Sequence, residues 1–228
     1  MKKDFISIAE LTTADVTELL DLTDTLKAHP QMKPLAGKTV ANIFQKPSLR
    51  TRVSFEVGIV QLGGYPIYLG NESIGIGSRE SVADVANMLT RFCDAIVARV
   101  YDHSIVTDMA KHSTVPVINA LTNLSHPCQI LSDAYTLRQH GKLRPGVKIA
   151  YIGDGNNIVN SWLELASLLP MHLALAVPLG YEPDQAIFHA AREAGVSTIE
   201  LVHTPVEAAV DADVVYSDSW VSMGQEQE

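Results

Sequence analysis

Apolar residues along the 228-residue chain fall alternately into short continuous runs and into helical spacings, joined by short polar connections. Thr12-Thr13-Ala14-Asp15 opens a helix by capping-box logic, and Val16, Leu19, Leu20, Leu22 and Leu26 give it an apolar face up to Ala28. A strand is predicted at Thr39–Phe44, then a helix from Leu49 to about Leu62 that Gly63-Gly64 closes. Further strands are expected at 67–69, 95–100 and 115–118. Helices are expected at 81–92, at 104–112 and from His126 to about His140. Gly141-Lys142-Leu143-Arg144-Pro145-Gly146 then reads as a boundary, giving domains 1–143 and 144–228.

The second series has strands at Val147–Ile152, 173–177, Thr198–Val202 and 214–216, with helices at 159–169 and 184–194. Short alternating β and α segments predict an α/β protein of two domains, each a parallel sheet flanked by helices. Ligands of such sheets bind at the carboxyl ends of strands. Ser48, Arg99, the stretch from Asn119 to His126, Asp154 to Asn157 and Asp218 all fall there. Only four strands are readable after Gly146, few for a doubly wound domain. The second domain is therefore expected to be incomplete at its C-terminus.

Composition narrows the function. With 46% hydrophobic and 19% charged residues the chain can bury a core. A net charge of −9 argues against nucleic-acid binding, so Arg50 and Arg52 form a local positive spot suited to a small anion. Cys93 and Cys128 are far apart and have neither disulfide-framework nor metal-ligand spacing. No stretch approaches the length of a membrane span, and the two lysines at the N-terminus precede no apolar segment. A cytoplasmic protein is expected.

The densest chemistry lies in Lys46-Pro47-Ser48-Leu49-Arg50-Thr51-Arg52. Ser48 reads as an N-cap and Pro47 as the end of the preceding strand, so first-turn amides and the positive helix end face an anion together. Two guanidiniums match a phosphate dianion. A solvated basic turn accounts for the same spacing. In His126-Pro127-Cys128-Gln129, a histidine at a helix start can polarise a carbonyl oxygen, and Gln129 can meet a primary amide or carbamoyl group. A capping histidine beside a core-facing, unreactive Cys128 fits equally. Gly153-x-Gly155 lacks the third glycine of a dinucleotide fingerprint, which argues against a nucleotide site. Trp162 and Trp220 read as packing residues.

Together, Ser48-Leu49-Arg50-Thr51-Arg52, Arg99 and His126-Pro127-Cys128-Gln129 resemble the carbamoyl-phosphate site of the aspartate/ornithine carbamoyltransferase family. Asp154-Gly155-Asn156-Asn157 and Asp218-Ser219-Trp220-Val221-Ser222-Met223-Gly224 resemble its ornithine-specific members, and the likeness runs from about Phe5 to Gly224. The resemblance implies carbamoyl transfer from carbamoyl phosphate to the δ-amine of L-ornithine, with no metal or organic cofactor, in a homotrimer or a multiple of one. It implies that Ser48, Leu49, Arg50 and Thr51 hold the phosphate, that Thr51, Arg99 and His126 point at the carbonyl oxygen, and that Gln129 orients the carbamoyl nitrogen. Asn157, Asp218, Ser222 and Met223 would hold the α-amino and α-carboxylate groups of ornithine. Alternatives are a transferase for another amine, such as acetylated ornithine, aspartate or putrescine, and a chain that binds carbamoyl phosphate without turnover.

The chain also departs from the family pattern. Leu49 stands where Thr or Met is frequent, and Gly75 where a polar residue often reaches a neighbouring subunit, with Ser78 or Arg79 as substitutes. The family's His-Cys-Leu-Pro loop and final helix have no counterpart in the sequence, which reads as truncated.

Overall fold

The computed structural model describes residues 4–77 and 79–218. Its packing divides the chain into two units, residues 1–123 and 124–228, each with a four-stranded parallel sheet. The expected α/β class and the two helix-flanked sheets are what the chain forms.

In the first unit the strands β1 (Thr39–Phe44), β2 (Tyr65–Gly70), β3 (Ala95–Arg99) and β4 (Val117–Leu121) lie in the order β2-β1-β3-β4. The helices are α1 (Thr13–Ala28), α2 (Arg50–Gln61), α3 (Asn71–Ile74), α4 (Val82–Phe92) and α5 (His103–His112). Strand side chains alternate between faces. Ala41, Ile43, Ile96 and Ala98 meet Val85, Ala86 and Leu89 of α4 and Val106 and Met109 of α5. Val40, Val97 and Ala120 meet Phe55 and Ile59 of α2. Burial on both sides is why these strands read as unbroken apolar runs. The strand expected at 115–118 begins at Val117 instead, because Pro116 has no N–H and contributes only its carbonyl, to Ile96 N at 2.8 Å.

The second unit holds α6 (Pro127–Gln139), β5 (Val147–Ile152), α7 (Asn157–Ala166), β6 (Met171–Ala176), α8 (Gln185–Glu193), β7 (Thr198–Val202), α9 (Pro205–Ala209) and β8 (Val214–Ser217). Its strand order is β7-β6-β5-β8. Every residue of α7 from Ile158 to Ala166 is buried, the polar Asn160, Ser161 and Glu164 included. Ala150, Ala174 and Ala176 pack against Ala208 of α9, the small side chains letting this short helix lie close to the sheet. Helix α9 was not anticipated, although Thr204 and Glu207 form a capping box with Pro205 in the first turn.

Each sheet reverses its winding at one place, between β1 and β3 in the first unit and between β5 and β8 in the second. Such switch points open crevices at the carboxyl ends of strands. The segment after β1 and Arg99 at the end of β3 lie at the first, and the turn after β5 and Asp218 after β8 lie at the second. Among the described residues no helix is long and apolar enough to cross a membrane. No group of three or more His, Cys, Asp or Glu among them is placed to hold a metal ion.

Candidate functional site

At the first switch point the backbone after β1 is stitched to the end of β3. Gln45 N donates to the Arg99 carbonyl at 2.8 Å, and Tyr101 N donates to Gln45 Oε1 at 3.3 Å. The β3–β4 register slips between Ala98 and Arg99, an irregularity of the kind that re-aims a side chain at a strand end. Arg99 is 2% exposed, and its Nη1 lies 3.5 Å from Thr51 Oγ1, at the outer limit of a hydrogen bond. Burial pushes its guanidinium below the usual range.

Helix α2 carries residues of the predicted cradle, with one correction to its start. Ser48 is not the N-cap: Leu49 occupies that position in helical conformation (φ −84°, ψ −59°) with no side-chain cap, and the helix begins at Arg50. Leucine has no acceptor to offer, so the first-turn N–H groups of α2 are left without a side-chain cap, and Ser48 lies outside the turn. Arg50 and Leu49 are exposed, while Ser48 and Thr51 are half-buried. Arg52 is committed elsewhere, with Nε 2.9 Å from Glu56 Oε1 and its guanidinium 3.5 Å over the Tyr68 ring. Of the two arginines expected to serve an anion, Arg50 is the one that faces solvent.

Lys46, given no role by the sequence, is 7% exposed. Its Nζ donates to Asn123 Oδ1 and sits 4.8 Å from the Tyr101 ring centre. Burial first, and then the Arg99 charge, hold its ammonium below the ordinary lysine range. A lysine depressed in the folded state binds its proton less tightly there than in the unfolded chain. At neutral pH, where both states are charged, it therefore costs stability, and the cost is relieved as pH rises through the folded pKa. Lys46→Met is accordingly expected to melt at the same temperature as the parent chain or higher at pH 7. Its affinity for inorganic phosphate should fall roughly tenfold, the loss of one charge-assisted contact or of its field. Calorimetry of unfolding and of phosphate binding checks both halves.

In the second unit His126 is the N-cap residue of α6, 7% exposed, with Pro127 in the first turn. Its N–H donates to Ser161 Oγ at 2.9 Å, and Asn160 Nδ2 donates to the Leu124 carbonyl at 2.9 Å, so α7 anchors the loop that carries it. Burial drives the Cys128 thiol up to about 12, which leaves it without nucleophilic character at neutral pH. Gln129 Nε2 donates to Asp133 Oδ1 at 3.0 Å, and Asp133 Oδ2 accepts from the Tyr216 hydroxyl at 2.8 Å. Trp162 is indeed a packing residue, 1% exposed and edge-on to Tyr216 at 5.7 Å.

At the second switch point Asn156 caps α7, accepting from Ile158 N at 2.9 Å, while its Nδ2 donates to Asp218 Oδ2 at 3.0 Å. Asn157, the residue singled out beforehand, is the first residue of the helix and half-buried. The structure thus brings Asp218 to the asparagine beside the expected one. Gly75 has a backbone reason to be glycine: it ends α3 in the left-handed region, φ +60°. Ser222, Met223, Trp220 and Ser78 lie outside the described residues.

Residues 3–139 match the family described as aspartate/ornithine carbamoyltransferase, carbamoyl-P binding domain, and residues 145–228 match its Asp/Orn binding domain. The chain is 51% identical over 234 residues to an ornithine carbamoyltransferase of Chlorobaculum tepidum, covering 100% of this chain and 69% of that protein. A chloroplastic ornithine carbamoyltransferase of Pisum sativum is 48% identical, with 99% of this chain and 62% of the relative covered. The solved ornithine carbamoyltransferase of Pyrococcus furiosus superposes with a TM-score of 0.92 at 43% identity, over 99% of this chain and 74% of that one.

Proposed function

The chain belongs to the aspartate/ornithine carbamoyltransferase family, and on that premise we propose that it transfers the carbamoyl group of carbamoyl phosphate to the δ-amine of L-ornithine in arginine biosynthesis. The observation that carries the reading is the meeting of Arg99 and Thr51, 48 residues apart, at the β1–β3 switch point. In this reading residues 1–143 serve carbamoyl phosphate and 144–228 serve ornithine. Ser48, Arg50, Thr51 and the amide of Leu49 hold the phosphate, and Arg50 neutralises the charge that grows on the leaving group. Thr51, Arg99 and His126 donate to the carbonyl oxygen as it becomes an oxyanion. Gln129 orients the carbamoyl nitrogen. Asn157, Asp218, Ser222 and Met223 hold the amino-acid end of ornithine.

The neutral δ-amine attacks the carbonyl carbon, forming the C–N bond and a tetrahedral intermediate. The bond from carbon to the phosphate oxygen then breaks, and the departing phosphate takes the amine proton, leaving citrulline. Positioning and fixed charge supply the catalysis. Assembly as a homotrimer belongs to the same reading. Leu49, Val53, Val57 and Val60 form an exposed apolar stripe along α2, which another copy can cover. The free thiols of Cys93 and Cys128 are in keeping with a reducing, cytoplasmic setting.

The test is citrulline formation by the 228-residue chain with carbamoyl phosphate and ornithine, run beside aspartate, putrescine and acetylated ornithine. Turnover with ornithine alone is expected. Turnover with another amine, or binding of carbamoyl phosphate without any product, would replace this reading with one of the two alternatives.

A further inference from the structure

We propose that Asp133 is a positioning residue that fixes which way the Gln129 amide faces, and so gives the site its preference for a ligand bearing an amino group. The inference rests on the reading that Gln129 meets the carbamoyl nitrogen. A glutamine amide offers an acceptor on one side and two donors on the other, and a half-turn about its last bond exchanges them. An ionised carboxylate can only accept. With Nε2 donating to Asp133 Oδ1 at 3.0 Å, Gln129 must turn its nitrogen toward the aspartate, which sends Oε1 the opposite way.

An outward Oε1 is an acceptor, the complement of a carbamoyl N–H. Acetyl phosphate has the same phosphate and carbonyl but a methyl group in place of the amine, and gains nothing from it. Held this way, Gln129 discriminates between two ligands of nearly equal size. Sites that hydrogen-bond a polar group reject the analogue lacking it far better than they sort by bulk.

Gln129 and Asp133 are four residues apart on α6, and that alone is an ordinary helix-surface pair. The second oxygen makes the difference. Asp133 Oδ2 accepts from Tyr216 OH at 2.8 Å, across 83 residues of sequence. The Tyr216 ring is fixed in turn, stacked on Tyr151 at 5.8 Å and edge-on to Trp162 at 5.7 Å. The carboxylate is thus gripped from β8. Burial, and after it the Asp218 charge, push the Asp133 carboxyl up, while the hydrogen bonds donated by Tyr216 and Gln129 pull it back toward the ionised form.

The experiment compares binding of carbamoyl phosphate and acetyl phosphate by titration calorimetry, using the full chain. The parent chain is expected to prefer carbamoyl phosphate by roughly tenfold or more, the worth of one well-made hydrogen bond. Asp133→Asn offers Gln129 a donor as well as an acceptor and frees its amide to turn. The preference should collapse toward unity through weaker carbamoyl-phosphate binding, with acetyl-phosphate affinity unchanged. In a Gln129→Ala background the same change should do nothing more. Tyr216→Phe, which keeps the ring packing, should narrow the ratio by a smaller factor and keeps the test decisive if the asparagine variant folds poorly. An unchanged ratio in both variants, or equal losses for both ligands, overturns the role of Asp133. A parent chain that binds both ligands alike overturns the assignment of Gln129 itself, and that result is separable because it appears before any substitution.

Discussion

Arg50→Ala is expected to weaken carbamoyl-phosphate binding by about a hundredfold or more while leaving the melting temperature essentially where it was. The side chain is exposed on the first turn of α2, where substitutions away from special contacts change stability by about half a kcal/mol or less. Against a phosphate dianion the same guanidinium makes charge-assisted bonds of about 1.5–3 kcal/mol each, and a bidentate pair makes two. Arg52→Ala is the contrasting case. That guanidinium is already held by Glu56 and lies on Tyr68, so its loss should cost local packing before it costs affinity. Calorimetric titration with carbamoyl phosphate and a thermal melt on each variant separate the two. An Arg50→Ala chain that binds as tightly as the parent would remove α2 from the phosphate site.

Gly155→Ala should be the most damaging small substitution in the second unit. A Cβ there would come within 2.5 Å of the Glu182 carbonyl carbon and the Tyr181 oxygen, and would also strike Pro183 N. All three are backbone atoms, and the two segments are already joined by Gly155 N donating to Tyr181 O at 2.7 Å. Overpacking of this kind costs about 1–3 kcal/mol, and in a unit of this size each kcal/mol lowers the melting temperature by roughly 4–8 °C. The damage also reaches Asn156, next in the chain, which caps α7 and holds Asp218. The KM for ornithine is therefore expected to rise more than the KM for carbamoyl phosphate. Steady-state kinetics with each substrate varied in turn checks this, and equal rises in both would show a general loss of structure.

Gly155, which with Gly153 superficially suggests a nucleotide loop, therefore answers to the close approach of residues 181–183. Other features were legible for reasons that the structure makes plain. β5 and β6 read as strands because both faces are covered, and α1 announces itself through capping by Thr12. Helix α9 escaped notice because five residues with an exposed Val206 carry no periodicity, although its capping box was in view. Ser48 reads as a cap because the rule for helix starts presumes an extended residue there, whereas the residue before α2 is Leu49, already helical.

The site divides in the same manner. Arg99 and His126 stood out by their place at strand and helix ends. Lys46, Asp133 and Asn156 did not, because what gives each its character is a neighbour distant in sequence: Asn123, Tyr216 and Asp218. Whether a charged residue is enclosed is a tertiary fact. Of two adjacent asparagines, only the backbone reveals which one caps the helix.

The enclosure of Lys46 and Arg99 at the carboxyl ends of the central strands β1 and β3 has a consequence for the life of the protein in a cell. Two cations withdrawn from water side by side repel one another, and a bound dianion offsets that repulsion. Occupancy and folding are then coupled: a ligand at a hundred times its dissociation constant adds about 2.7 kcal/mol to the stability of the folded chain. That suppresses the unfolded population about a hundredfold, and with it the fraction open to proteases. A chain kept short of carbamoyl phosphate is therefore expected to be cut by proteases faster than one held in its excess.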